Sequence, residues 1–260
     1  MKIKEILDAL ERFAPLPLQD GFDNTGLQLG LTGAEATGAL LCLDVTEEVL
    51  DEAEALGMNL VVAHHPLLFH AVKSLTGKND VERCVMKALR NGIAVYAAHT
   101  NLDNAVGGVN FKMAEKIGLT EVQFLRPFED GREGGAGIVG QLEEPETELD
   151  FLQRLKKTFE VSCVMHNRLC GREIRKVALC GGAGAFLIPQ AIQAGADVFV
   201  TGEIKYHEFQ GHDDDLLLTS LGHYESEQYT IELLEKIIKE AFPQLPVKRT
   251  RVNTNPIRYM

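Results

Sequence analysis

Two adjacent histidines close an apolar run in the first half of the sequence. His64 and His65 follow "NLVVA" and precede Pro66. A neutral imidazole is costly to bury unless both ring nitrogens find partners. One histidine at a strand end can be an ordinary satisfied polar group, whereas two in succession indicate a shared partner. The pair is therefore the first candidate for chemistry.

Histidines spaced four residues from an acid follow two further apolar runs. His99 and Asp103 come after "VYAA", and His223 and Glu227 come after "LLLTSLG". In parallel α/β sheets ligands bind at the carboxyl ends of the strands, so these groups are expected to converge on one crevice. A single such spacing is typical of a surface pair, but three strand ends together favour a site.

The residue types predict a metal centre. Imidazole with carboxylate suits zinc, iron, manganese or nickel and disfavours calcium or magnesium as the sole occupant. Adjacent residues at a strand end point in different directions, so each histidine of the pair would serve a different ion. Two-metal sites hold their ions roughly 3.5–4 Å apart and share a bridging carboxylate and water. We predict five ligands for two divalent ions, with positions left for water or substrate: His64, His65, Asp103, His223 and Glu227.

Four other residues are predicted to lie beside these ligands. Glu203, Lys205 and His207 of "TGEIKYHE" occupy the second-half position equivalent to His64 and its neighbours. They could orient the ligands or contact substrate, since metal-bound histidines are usually held by such partners. His99 is predicted either to neighbour the metal or to orient Asp103. The catalytic residue is left open, with His207, Lys205 and His99 as candidates for proton transfer.

Two further stretches allow a functional and a purely structural interpretation. The glycine-rich "CGGAGAF" (180–186) follows an apolar run and could hold a phosphate on its backbone N–H groups, or form a tight turn. Asp23 and Asn24 could turn the chain beside the site, or form an Asx turn of no further consequence.

Apolar runs alternate with helical stretches, which predicts an α/β fold. The predicted strands are 39–45, 59–63, 93–98, 137–142, 176–180, 197–201 and 216–221, and the predicted helices are 2–13, 47–56, 80–91, 109–117, 147–159, 185–194 and 225–241. The stretch "TNLDN" after His99 is predicted to be a loop ending in an Asx-type turn.

The two halves of the sequence resemble each other. Aligning Val62 with Val200 matches a strand–helix–strand unit in each half, and the next strand places His99 opposite His223. We therefore predict two similar α/β lobes, 1–127 and 128–260. "FEDGREGGAG" (128–137) is the expected boundary.

Composition limits the classes of partner. The net charge of −12 opposes general binding to nucleic acid or anionic membranes, and no apolar run approaches the roughly 20 residues of a membrane span. Five cysteines without a C-x-x-C spacing suggest neither a disulfide framework nor a zinc ribbon. The N-terminal residues follow helical spacing with charges between them, unlike a signal peptide. We expect a cytoplasmic protein with a small-molecule substrate.

A set of motifs in this sequence resembles the Nif-three-like family. The motifs are "GFDNTGLQLG", "HHPLLF", "AHTNLD", "TGEIKYHE", "GHYESE" and "NPI", and they follow the family order over nearly the whole chain. Members are commonly labelled GTP cyclohydrolase 1 type 2 homologues or dinuclear metal centre proteins. The resemblance implies a dinuclear site on the same five ligands, two similar interleaved α/β/α three-layer lobes with mostly parallel sheets, and a ring-shaped homohexamer.

The sequence departs from the family pattern at one aromatic position and in length. Phe22 stands where the family usually has Trp, and 260 residues leave no room for the inserted middle domain of longer members. Activities credited to that insert are therefore not carried over.

The residues and the resemblance together predict a dinuclear-metal-dependent hydrolase of a small nucleotide-like or phosphorylated substrate. The family label specifies ring opening of GTP, although no motif here reads guanine. Zinc, iron or manganese are the expected ions. The alternative is a non-catalytic metal-binding protein, a metallochaperone or an assembly scaffold, because storing metal needs ligands but no general base. A third hypothesis is a nucleic-acid-binding protein, which the net charge of −12 disfavours.

Overall fold

The computed structural model describes residues 1–260. None of its helices combines the length and the apolar character that crossing a bilayer requires. The strands are β1 (Gly26–Leu29), β2 (Ala39–Cys42), β3 (Leu60–Ala63), β4 (Ala94–Ala97), β5 (Thr120–Pro127), β6 (Gly135–Thr147), β7 (Met165–His166), β8 (Glu173–Cys180), β9 (Val198–Thr201), β10 (Leu217–Ser220) and β11 (Val247–Arg249). The helices are α1 (Ile3–Phe13), α2 (Glu47–Ala55), α3 (Asp80–Arg90), α4 (Thr100–Asp103), α5 (Val109–Ile117), α6 (Glu148–Thr158), α7 (Ile188–Gln193), α8 (His223–Glu227) and α9 (Thr230–Ala241).

The chain forms two compact units that are interleaved along the sequence. The first contains residues 1–102 and 230–258, and the second contains residues 103–229 and 259–260. The interleaving agrees with the expected arrangement, but the chain changes units at Leu102 and at Tyr229 rather than at residue 128. The glycine-rich stretch 128–137 is not a linker: it includes the turn between antiparallel strands β5 and β6, inside the second unit.

The first unit is built on a five-stranded sheet of order β1-β4-β3-β2-β11. All neighbours are parallel except β1, which runs antiparallel to β4 at the edge. Every residue of β2, β3 and β4 is buried, as expected for parallel strands covered on both faces. Buried side chains of helices α2 and α3 pack in one cluster with side chains of β2, β3 and β4. Helix α9 contacts β2, β11 and α1.

The second unit is built on a six-stranded mixed sheet of order β5-β6-β8-β9-β10-β7. Its centre is parallel, with β8 beside β9 and β9 beside β10, and the flanking pairs are antiparallel. Val198 and Val200 face the cluster formed with α5 and α6, whereas Phe199 faces the cluster formed with α7. This unit is therefore a three-layer α/β/α lobe, as expected.

Both units contain the predicted repeat. In the first, Leu60 pairs with Ala39 and with Ala94; in the second, Val198 pairs with Val177 and with Leu217. The third strand of each repeat is followed by a helix of about one turn, α4 or α8.

Two predicted elements differ from the structure. "TNLDN" is not a loop, because Thr100–Asp103 is helical. The single helix predicted at 225–241 is two helices, α8 and α9. The break has a packing reason: Tyr229 packs against the core of the second unit, whereas Leu233 and Leu234 of α9 belong to the first unit.

Candidate metal centre

Three histidines of the first unit lie together where strands β3 and β4 end. The ring centroids of His64 and His65 are 4.8 Å apart, and that of His99 is 5.3 Å from the first ring and 5.4 Å from the second. One ring nitrogen from each lies within 4.8 Å of the others. The two parallel strands thus bring together histidines that are distant in sequence. This confirms the expectation that polar residues following neighbouring strands converge.

The adjacent histidines are each held through Nδ1. His64 is fully buried and its Nδ1 donates to the carbonyl oxygen of Ala98 at 2.7 Å, and His65 Nδ1 donates to Asp44 Oδ1 at 2.8 Å. An oxygen acceptor of this kind places the proton of a neutral imidazole on Nδ1 and leaves the lone pair on Nε2. Burial raises the pKa of Asp44, but the hydrogen bonds from His65 and Thr254, with the charge interactions of His65 and His64, together lower it, and the net shift is downward.

His99 is held in the same way by Asp23, whose side chain is fully buried. Nδ1 of His99 donates to Asp23 Oδ1 at 2.7 Å, and the other carboxylate oxygen accepts from the Thr100 backbone N–H and hydroxyl. Burial raises the pKa of Asp23, yet these hydrogen bonds lower it to about 2. Asp23 therefore orients His99, a contact that neither of the two sequence-based interpretations, a turn beside the site or an Asx turn, included.

The second unit contains one predicted histidine ligand together with carboxylates. Nε2 of His223 lies 3.1 Å from Glu227 Oε2, so the two predicted ligands share one face of α8. Nδ1 of His223 donates to Glu203 Oε1 at 3.0 Å. A carboxylate oxygen of Asp103 lies within 4.8 Å of one from Glu227. Glu227 is almost fully buried, and glutamates are rarely buried unless they are paired; here the imidazole of His223 lies beside the carboxylate.

The glycine-rich turn after β8 packs against Glu227. A Cβ at Gly182 would lie 2.3 Å from Glu227 Oε1, and this residue has a φ of +60°. The N–H groups of Gly181, Gly182 and Gly184 donate to the side chains of Asn110, Ser226 and Thr201. Because those three N–H groups are already used, the tight-turn interpretation is favoured over a phosphate cradle.

Two of the predicted neighbours stand apart from these ligands. Lys205 and His207 are both exposed. Lys205 immediately precedes a short 3-10 helix, Tyr206–Phe209, and His207 lies within it. His207 packs edge-on against Tyr206. The structure gives neither side chain a hydrogen bond to His223 or Glu227. Of the three residues predicted in this segment, only Glu203 contacts a predicted ligand.

Asp44 is the residue that the sequence did not single out. It lies 21 positions before His65 and also accepts a hydrogen bond from the Thr254 hydroxyl near the C-terminus. A signal existed, because an acid directly after a buried strand of a parallel sheet lies at the same edge as the histidines.

The four histidines share one arrangement that fits a metal ion. Each has Nδ1 on an oxygen acceptor, which fixes the ring and directs the lone pair through Nε2, the usual arrangement of metal-binding histidines. The second unit also has the carboxylates of Asp103 and Glu227, and imidazole with carboxylate suits zinc, iron or manganese. The chain thus has His, Asp and Glu groups, several of them buried, that could bind a metal.

Comparison with known proteins identifies the family. The sequence profile described as Duf34/NIF3 (NGG1p interacting factor 3) matches residues 1–256. A protein of Lactococcus lactis named "GTP cyclohydrolase 1 type 2 homolog" is 36% identical, over 98% of both chains. The crystal structure of a Bacillus cereus protein related to NIF3 superposes with a TM-score of 0.90 at 25% identity, covering 100% of this chain and 99% of that one. A Staphylococcus aureus hypothetical protein superposes with a TM-score of 0.93 at 28% identity and the same coverage. The chain belongs to the Duf34/NIF3 family.

Proposed function

We propose that this protein is a dinuclear-metal-dependent hydrolase of a small nucleotide-like or phosphorylated substrate. Five residues would hold two divalent ions, zinc, iron or manganese: His64, His65, Asp103, His223 and Glu227. The observation that carries the proposal is the shared orientation of the histidines, each with Nδ1 bonded to oxygen. The exposed His166 also has Nδ1 on a carbonyl oxygen, but it belongs to no group of possible metal ligands, whereas these four histidines do.

The residues of the chain would divide the work of a hydrolytic site. A pair of divalent ions supplies a water nucleophile at neutral pH and Lewis acidity toward the substrate oxygen. Asp44 and Asp23 hold the Nδ1 protons of His65 and His99, so that both rings keep one orientation. Of the three candidates for proton transfer, His99 is favoured over Lys205 and His207 because it lies within the histidine cluster.

GTP is the first substrate to test, because the curated relatives are named as homologues of GTP cyclohydrolase 1 type 2. Ring opening of a purine by water is a hydrolysis that such a centre could promote. We further propose a homohexamer, as the family resemblance implies, and a cytoplasmic location, which the five free cysteines support. Light scattering of the purified protein tests the hexamer.

Elemental analysis of the purified protein tests the metal centre. We expect near two ions per chain in the wild type, and a sharp loss in Glu227→Ala. Glu144→Ala, which removes an exposed glutamate on β6, is the matched control and should keep its metal. Wild-type protein that stays metal-free after supply of zinc, iron and manganese would contradict the ligand assignment.

Turnover separates an enzyme from a metal-storage protein or scaffold. With the metal-loaded protein we expect hydrolysis of GTP or of a related phosphorylated compound. Loss of turnover with full metal content in His207→Ala or Lys205→Ala would assign proton transfer to that residue and support an enzyme. Full metal content without turnover of any nucleotide or phosphoester would favour the non-catalytic alternative.

A further inference from the structure

The segment between β3 and α3 surrounds a cavity that the proposed metal centre does not use. The cavity has a volume of about 380 Å³ and is lined by both ends of this segment and by the first turns of α3. Its lining includes Phe69, His70, Val72, Lys73, Lys78 and Glu82. Cavities of roughly 300–1,000 Å³ with apolar walls and a few polar groups are typical of small-molecule sites.

The charges of this lining favour an anion. Lys73 forms no ion pair, and Lys78 Nζ lies 3.5 Å from Glu82 Oε1. Glu82 is the one acid in the lining, and its other oxygen accepts from the backbone N–H and the hydroxyl of Thr76 at 2.8 and 2.9 Å. The carboxylate of Glu82 is thus bonded to Thr76 and Lys78, whereas the ammonium of Lys73 has no acid to neutralise it. In a chain of net charge −12 such a cationic cavity is a local exception.

Aromatic rings connect the cavity to the histidine cluster. Phe69 lines the cavity, and its ring centroid lies 6.2 Å from that of His99. Phe22 is 67% exposed, and its ring meets Phe69 edge-on at 6.3 Å. Two exposed phenylalanine rings beside polar groups present apolar faces on which a flat ring can stack.

We propose that this cavity binds the phosphate chain of a nucleoside phosphate whose base stacks on Phe69 and Phe22. The base then lies beside His99, and the phosphates contact Lys73 and Lys78. The inference rests on the proposed function, and it adds to that function the residues that would bind the flat heteroaromatic ring and those that would bind the anionic chain of such a substrate.

Binding measurements on the metal-loaded protein test the phosphate half of the site. Calorimetry with GTP, guanosine and inorganic tripolyphosphate is compared for wild type, Lys73→Ala and the double variant Lys73→Ala/Lys78→Ala. We expect each lysine to account for about fivefold in the affinity for GTP and tripolyphosphate, with guanosine unaffected. Lys248→Ala, an exposed lysine of β11 in the same unit, is the matched control and should bind as wild type does.

Fluorescence tests the ring half of the site. The sequence contains no tryptophan, so Phe22→Trp introduces a single indole at the stacking surface. We expect GTP and guanosine to quench it and tripolyphosphate to leave it unchanged. Phe69→Ala and Phe22→Ala should weaken both guanine compounds, whereas Phe22→Trp should retain wild-type affinity.

The outcomes separate this inference from the proposed hydrolysis. Binding with the expected lysine and phenylalanine dependence but without turnover would uphold the inference and refute the hydrolase. Turnover with equal affinity in the Lys73 and Phe69 variants would refute the inference and leave the hydrolase standing. Absence of binding by all three compounds in the wild type overturns the inference. Metal content, measured for every variant, shows that the loss is not a loss of ions.

Discussion

The two units share one scaffold but present different side chains at its edge. In each unit three parallel strands have the same register, Ala39–Leu60–Ala94 in the first and Val177–Val198–Leu217 in the second. After the middle strand the first unit continues with His64 and the second with Gly202. The strands alone therefore do not decide which side chain follows them; the room for a side chain beyond the strand end does.

The space differs for a clear reason. At Gly202 a Cβ would lie 2.6 Å from Ser226 Oγ and 2.7 Å from the Gly182 carbonyl oxygen. The glycine-rich turn and α8 occupy this position in the second unit, so no histidine can stand there. The comparison shows two ways of fixing a predicted ligand: hydrogen bonds to Nδ1, which hold the histidines of both units, and close backbone packing, which surrounds Glu227 in the second unit alone.

The largest effect is expected from breaking the packing of the second unit. Gly182→Ala introduces a Cβ 2.3 Å from Glu227 Oε1 and strains a left-handed residue. We expect the free energy of unfolding to fall by about 2–4 kcal/mol and Glu227 to move, with loss of bound metal. Denaturant titration and elemental analysis measure the two effects.

The control for this substitution is Gly195→Ala in the same unit. Gly195 has a φ of +67°, but a Cβ there meets nothing within 4 Å. Gly195→Ala should lower the free energy of unfolding only by the cost of the left-handed backbone conformation, about 1–2 kcal/mol, and should leave the metal content unchanged. Equal effects of the two substitutions would show that packing against Glu227 does not position it.

A smaller effect is expected from breaking the hydrogen bonds of the first unit. Asp44→Asn keeps the shape of the side chain but replaces the carboxylate that orients His65. We expect a loss of roughly 10–100-fold in metal affinity, measured by competition with a chelator, with little change in stability.

Glu203→Gln is the corresponding change in the second unit. Glu203 orients His223, but its side chain is 56% exposed, so water can replace it. We therefore expect a weaker loss than in Asp44→Asn. A larger loss in Glu203→Gln would reverse the proposed division between the units.

A buried serine tests the packing more gently. Ser226 Oγ accepts from the Gly182 N–H at 3.0 Å and donates to the His223 carbonyl oxygen. Ser226→Ala leaves a buried N–H without its acceptor, which should cost about 1–3 kcal/mol in unfolding free energy. Ser220→Ala, which removes only a donor to the Gly202 carbonyl, should cost less. A greater cost for Ser220→Ala would contradict this account of the turn.

The smallest effect is expected in the loop of the first unit, and it depends on pH. Hydrogen bonds from the Thr76 backbone N–H, opposed by burial, lower the pKa of Glu82 from 4.5 to about 2. A lowered native pKa stabilises the fold above the unfolded value, and this stability is lost as the pH falls from about 4.5 through about 2. Glu82→Gln removes the titration, so its stability should fall less steeply over this range.

Acid unfolding followed by circular dichroism measures the slope. Glu144→Gln, an exposed glutamate of the second unit, is the control and should retain the wild-type slope. An unchanged slope in Glu82→Gln would show that this carboxylate does not hold the loop.

The central elements were predictable because they are either fully buried or strongly amphipathic. The strands β2, β3, β4, β9 and β10 are continuous buried apolar runs, and capping residues such as Thr46, Asn79 and Thr147 begin the helices that follow. The strands β1, β5, β7 and β11 were missed. They lie at the edges of the sheets, and their partly exposed or very short runs lack an apolar signature.

The sequence by itself determined the candidate chemistry: which imidazoles and carboxylates stand at strand ends, and hence that a nitrogen–oxygen metal site was to be expected. Only the tertiary structure decided how those side chains are held. Asp23 orients His99 from 76 positions away, and Gly182 packs against Glu227 from another strand end. Such pairings depend on which strand ends the sheet register brings together, and local composition carries no information about that.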